Sequence, residues 1–114
     1  VKKIYRLRKR RDFNYTYQKG KSLANQYLVL VYRRTGLPVT RAGFSVSKKF
    51  GKSVRRNRIR RQLREIYRRR IPSIKEGFDL IFVIRKDAGE VEFSKLEEAV
   101  DNLLKRAGLF KEMD

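Results

Sequence analysis

The chain has 114 residues, with 31 Lys or Arg against 12 Asp or Glu, a net charge of +19 and an isoelectric point near 10.9. That length and an apolar content of 40% suit one domain with one core, and the charge points first to nucleic acid as partner. The chain has no Cys and no His, which excludes a disulfide framework, a zinc site, the usual general base and Cys–His nucleophile pairs.

The amino-terminal 11 residues, VKKIYRLRKRR, read as a basic arm of the kind that orders on binding. A short helix begins near Asp12 and stops at Gly20. Phe13 and Tyr17 share one face of it. Spacing alone favours them as core anchors over a stacking platform for unpaired bases. A short strand is predicted near Ser22–Ala24. Residues 27–34, YLVLVYRR, form a strand that is apolar on both faces, with Tyr27, Val29 and Val31 on one and Leu28, Leu30 and Tyr32 on the other. Thr35-Gly36-Leu37-Pro38 is a turn. A second strand, 41–47, places Ala42, Phe44 and Val46 on one face and Arg41, Gly43, Ser45 and Ser47 on the other. That small polar face suits either plain solvent exposure or close approach by a nucleotide.

Lys48–Arg70 holds twelve basic residues and one acid, Glu65. Ile59, Leu63, Ile66 and Tyr67 recur at helical spacing, so one side can dock on a core. Asn57, Arg60, Arg61, Arg64 and Arg68 fall on the other side. Ser53 is the expected N-cap, and Pro72 ends the helix by Ile71. A solvated helix face normally mixes charge signs, whereas here arginines sit four apart and repel by a few tenths of a kcal/mol per pair. A polyanion that neutralises the run accounts for it, and Arg presents the donor fork that matches phosphate.

Residues 78–85, FDLIFVIR, are a nearly continuous apolar run and so an interior strand. Ser94-Lys95-Leu96-Glu97 fits a capping box for a last helix that Gly108 closes. The expected fold is α+β, a two-layer sandwich of a mixed sheet and helices in the order α-β-β-α-β-α with an extra short strand. Residues 1–70 carry 24 basic and two acidic residues, while 71–114 carry seven and ten. The binding surface therefore belongs to the first part and the scaffold to the second. No apolar run reaches membrane-spanning length and no signal peptide is visible, so cytoplasm is the expected location. The basic half has no acid cluster for two Mg²⁺ ions and no phosphate-binding glycine loop. No helix-turn-helix or zipper pattern appears, and the frequent aromatics favour RNA over duplex DNA. A structural protein that coats RNA or DNA, of ribosomal or nucleoid type, is the competing reading.

The run Ser45-Val46-Ser47-Lys48-Lys49-Phe50-Gly51, followed by Arg56-Asn57-Arg58-Ile59-Arg60-Arg61, resembles the signature of the bacterial ribonuclease P protein subunit. Leu7, Arg11-Asp12-Phe13, Tyr17, Lys19-Gly20-Lys21-Ser22, Asn25 and the strand Asp79–Arg85 with Lys86 extend the likeness over almost the whole chain. The resemblance implies a ribosomal S5 domain 2-like fold with a left-handed β-α-β crossover. It implies a ribonucleoprotein that removes the 5′ leader of precursor tRNA, with Mg²⁺ and the active site on the RNA subunit and no catalytic residue here. By the same likeness Lys48, Lys49, Lys52, Arg55, Arg56, Asn57, Arg58, Arg60, Arg61 and Arg64 contact the RNA subunit. Phe13, Tyr17, Ser45, Ser47 and Arg61 line the leader cleft, which moves Phe13 and Tyr17 from core to binding site. The family cleft shows an aromatic residue at the position of Val31. No protein oligomer and no membrane partner are expected.

Overall fold

The computed structural model describes residues 2–85 and 91–112; Lys86 lies outside them. Helix α1 (Arg10–Lys19) leads into strands β1 (Lys21–Ala24), β2 (Leu28–Arg34) and β3 (Arg41–Ser45). Helix α2 (Ser53–Arg70), strand β4 (Phe78–Ile84) and helix α3 (Phe93–Arg106) follow. The sheet order is β1-β2-β4-β3, with β1-β2 and β2-β4 antiparallel and β3-β4 parallel. The apolar run of β4 thus sits inside the sheet, as its composition predicts.

The two sheet faces are covered unequally. Leu28, Leu30, Ala42, Leu80, Phe82 and Ile84 point to one face and meet Ile59, Leu63, Ile66 and Tyr67 of α2 and Leu96, Val100, Leu103 and Leu104 of α3. Each of the Leu, Ile, Val and Phe side chains contributes about 1.5–3 kcal/mol by leaving water. Arg70 joins the two helices across this layer, donating to Asp101 at 2.6 and 2.9 Å and pairing with Glu97 at 3.0 Å. The opposite face carries a smaller cluster of Leu7, Val31 and Ile81, with Phe13 of α1 packed on it.

Several local signals resolve differently from expectation. Helix α1 starts two residues before Asp12, so Asp12 lies in its first turn and its carboxylate is free to reach the sheet. Ser53 is the first helical residue of α2 rather than its cap; Lys52 precedes it with no side-chain cap. The capping box at Ser94 does not form either, because α3 begins at Phe93 behind Glu92. Phe93 packs against the main core, and burial of that ring outweighs a cap of about 1 kcal/mol. Strand β3 stops at Ser45, and the chain turns into a 3-10 turn at Lys48–Phe50. The basic arm is docked. Arg6 bridges Ala42 in parallel, the Leu7 N–H donates to the Ala42 carbonyl at 3.0 Å, and Leu7 is buried. The arm thereby covers the open edge of β3.

Burial pushes the Tyr67 phenol well above the ordinary tyrosine value. The folded state then keeps a proton that the unfolded chain loses above about pH 10. The stability tied to Tyr67 is complete below that pH and falls above it, by at most about 1.4 kcal/mol per pH unit. Urea unfolding of Tyr67→Phe should show a shallower loss of stability between pH 10 and 11 than the parent. An unchanged slope would assign the alkaline transition to other groups.

Candidate nucleic-acid interface

The sheet face beneath α1 is organised in three cross-strand rows. Register aligns Arg41, Asp79 and Arg33; then Gly43, Ile81 and Val31; then Ser45, Val83 and Val29. The first row is ionic. Asp79 is fully buried and accepts from Arg33 Nη2 at 3.1 Å, Arg41 Nε at 2.9 Å and Arg41 Nη2 at 2.8 Å. The hydrogen bond to Asp79 raises the Arg41 pKa above the ordinary guanidinium value. The second row lies under Phe13. A Cβ at position 43 would run into the Phe13 ring, so glycine is what lets the aromatic ring settle on β3. The third row is only half-buried, leaving a shallow apolar floor next to Phe13.

Phe13 is half-buried, both a packing residue and a wall of this depression. Tyr17, one turn later, is 44% exposed, far more than a core anchor needs. Val31 belongs to this face, while Tyr32 packs against the main core on the other. Ser45 is half-buried in the third row. Ser47 is exposed, and its hydroxyl accepts the Lys49 N–H at 3.2 Å, holding the turn that leads to α2. Gly51 ends that turn at φ +148°, a conformation that side chains disfavour.

Helix α2 docks on the opposite face by its apolar stripe and turns its basic side outward. Lys48, Lys49, Lys52, Arg55, Arg58, Arg61 and Arg64 are exposed, as is Asn57; Arg56 and Arg60 are half-buried. Glu65, the only acid in the helix, accepts from Arg68 at 2.7 and 3.1 Å and from Arg69 at 3.2 Å. The bond from Arg68 holds the Glu65 carboxyl below its ordinary pKa. Among the described residues no acid pairs with Lys48, Lys49, Lys52, Arg58, Arg60, Arg61 or Arg64. Asn57 accepts from Arg60 at 3.0 Å, which orients that guanidinium along the helix.

The helix reaches around the β3 edge to the Phe13 side through Arg60 and Arg64. These line a groove of about 370 Å³ with Tyr5, Arg6, Arg8, Phe13, Gly43 and Phe44. Arg61 is exposed and does not line that groove; Arg60 and Arg64 line it with Phe13. Partial desolvation of its guanidinium against the groove, with Arg6 and Arg60 close by, lowers the Arg64 pKa below the ordinary value although the residue as a whole is exposed. An aromatic floor ringed by mutually repelling guanidiniums has the chemistry to suit an anion with a flat apolar part, such as a nucleotide. Sequence reasoning missed the part played by Arg6 and Arg8. The only signal was Leu7 between them, an apolar residue in a basic run.

A family model described as ribonuclease P matches residues 1–108. The ribonuclease P protein component of Caldanaerobacter subterraneus is 42% identical over 112 residues, covering 98% of this chain and 97% of that protein. The Thermotoga maritima protein component is 46% identical over 105 residues, covering 89% of this chain and 90% of that one. Among solved structures, a Staphylococcus aureus RNase P protein superposes with a TM-score of 0.87 at 33% identity, covering 94% of this chain and 98% of that one. The T. maritima RNase P protein superposes with a TM-score of 0.82 at 44% identity, covering 89% and 96%.

Proposed function

Because the chain belongs to the bacterial ribonuclease P protein family and is the protein subunit of that ribonucleoprotein endoribonuclease, we propose that it binds through two surfaces. The outer side of α2 and the Lys48–Phe50 turn hold the RNA subunit. The depression beside Phe13 and Tyr17 holds the single-stranded 5′ leader of precursor tRNA. The chemistry belongs to the RNA and its Mg²⁺, with no catalytic side chain in this chain. The absence of His and Cys and of any metal-holding acid cluster among the described residues supports that division. No helix among the described residues is long and apolar enough to cross a membrane, and we place the work in the cytoplasm.

The observation that carries this reading is the division of α2. Its apolar stripe is committed to the core, while among the described residues no acid pairs with its exposed Arg58, Arg61 and Arg64. Directional, unsatisfied cations on a rigid helix are suited to phosphates. The test is reconstitution with a bacterial ribonuclease P RNA at low Mg²⁺. The protein should accelerate cleavage of a precursor tRNA. Arg58→Ala should weaken assembly with the RNA and flatten the salt dependence by about one unit of log–log slope. Lys111→Ala, an exposed cation on the charge-balanced end, should change neither. Equal losses for both variants would mean that general charge, not the α2 surface, drives assembly.

A further inference from the structure

Helix α1 is weakly anchored by apolar burial. Thr16 is its only fully buried residue, and the Thr16 hydroxyl turns back to the Asp12 carbonyl at 2.8 Å. Phe13 is the apolar contact that joins the helix to the Leu7, Val31 and Ile81 cluster. Two polar tethers flank that contact. Arg41 Nη1 donates to Asp12 Oδ2 at 3.4 Å, and the Arg33 guanidinium lies 4.5 Å over the Tyr15 ring. Both arginines are themselves fixed by the buried Asp79 carboxylate. The chain of contacts therefore runs Asp12, Arg41, Asp79, Arg33, Tyr15, starting and ending on α1 with Phe13 between its ends. Apolar contact has little direction, whereas the forked bond from Arg41 to Asp79 fixes the Arg41 guanidinium, from which the single bond to Asp12 reaches α1.

We propose that Asp12 is a positioning residue for the leader site: through Arg41 and Asp79 it sets where α1 lies over the sheet, and so where Phe13 and Tyr17 meet an unpaired nucleotide. This rests on the leader-cleft reading above. Asp12 is suited to that role because it is the outer end of the network. Its side chain is 20% exposed, whereas Asp79 at the centre is fully buried, so changing Asp12 loosens the tether without stranding two arginines.

The test measures affinity of the reconstituted holoenzyme for a precursor tRNA with a leader of several nucleotides and for the mature tRNA. Asp12→Asn removes the charge and keeps the size. It should weaken leader-bearing binding by about three- to ten-fold and leave mature tRNA unchanged, the scale expected for coupled neighbours. The loss should shrink in a Tyr17→Ala background, because Asp12 acts in part through the Tyr17 contact. Arg41→Lys, which keeps the charge but not the fork, should repeat the pattern and serves if Asp12→Asn shifts the melting point. Additive effects with Tyr17→Ala, or equal losses on both RNAs, would overturn the role of Asp12 while the leader cleft stands. If Tyr17→Ala alone has no leader-specific effect, the cleft reading fails and takes the proposal with it.

Discussion

Asp79→Ala should cost the fold about 3–5 kcal/mol, the largest loss expected from any single charged residue in the chain. Asp79 has no solvent exposure, while the Arg33 and Arg41 side chains that donate to it are 20% and 22% exposed. Removing the carboxylate leaves two largely desolvated guanidiniums facing each other across β4, with Asp12, bonded to Arg41, the one acid left to offset them among the described residues. The cost comes less from the bonds lost than from the charges left behind. Urea unfolding followed by circular dichroism measures it. Glu65→Ala is the control: Glu65 also bonds two arginines, but in solvent, and its removal should leave the midpoint almost unmoved. Comparable losses for the two variants would contradict the claim that burial, not ion pairing, sets the scale.

Tyr17→Ala should separate binding from folding most cleanly. Stacking of an unpaired base on an aromatic ring is worth roughly 1–3 kcal/mol and tolerates any base. With the ring 44% exposed, its removal should leave the melting temperature nearly unchanged. Affinity of the holoenzyme for precursor tRNA should fall by about five- to 150-fold, and affinity for mature tRNA should hold. Phe13→Ala should show the same leader-specific loss together with a clear loss of stability, because the ring also packs on Gly43 and the small cluster. A Tyr17→Ala variant that melts early, or that loses both RNAs equally, would return Tyr17 to a structural role. Assembly with the RNA subunit should survive both changes, unlike Arg58→Ala.

Much of the fold was legible because periodicity and burial agree along most of the chain. The alternation in β3 and the stripe of Ile59, Leu63, Ile66 and Tyr67 each predict the face that packs on the main core. The unbroken apolar character of Phe78–Ile84 likewise placed β4 inside the sheet, since a strand between two others is buried on both sides. The caps at Ser53 and Ser94 were not legible. A hydrogen bond of about 1 kcal/mol yields to the packing of neighbouring rings and loops, which a local pattern does not contain.

What the sequence determined by itself was the division of labour: a cation-rich first part, an acid-balanced second part, and one helix apolar on one side and guanidinium-rich on the other. Charge and helical period are local properties, so they survive without coordinates. What only the tertiary structure decided was which distant residues share a surface. Parallel pairing of β3 with β4 and antiparallel pairing of β2 with β4 bring Arg41, Asp79 and Arg33 into one row. That register gives the buried Asp79, inside an otherwise apolar strand, two arginine partners. The same pairing put Gly43 beneath Phe13, and the docked arm brought Arg6 and Arg8 to Arg60 and Arg64. Strand register and edge pairing are set by the sum of many contacts between segments far apart in the chain, and no window of sequence carries that sum.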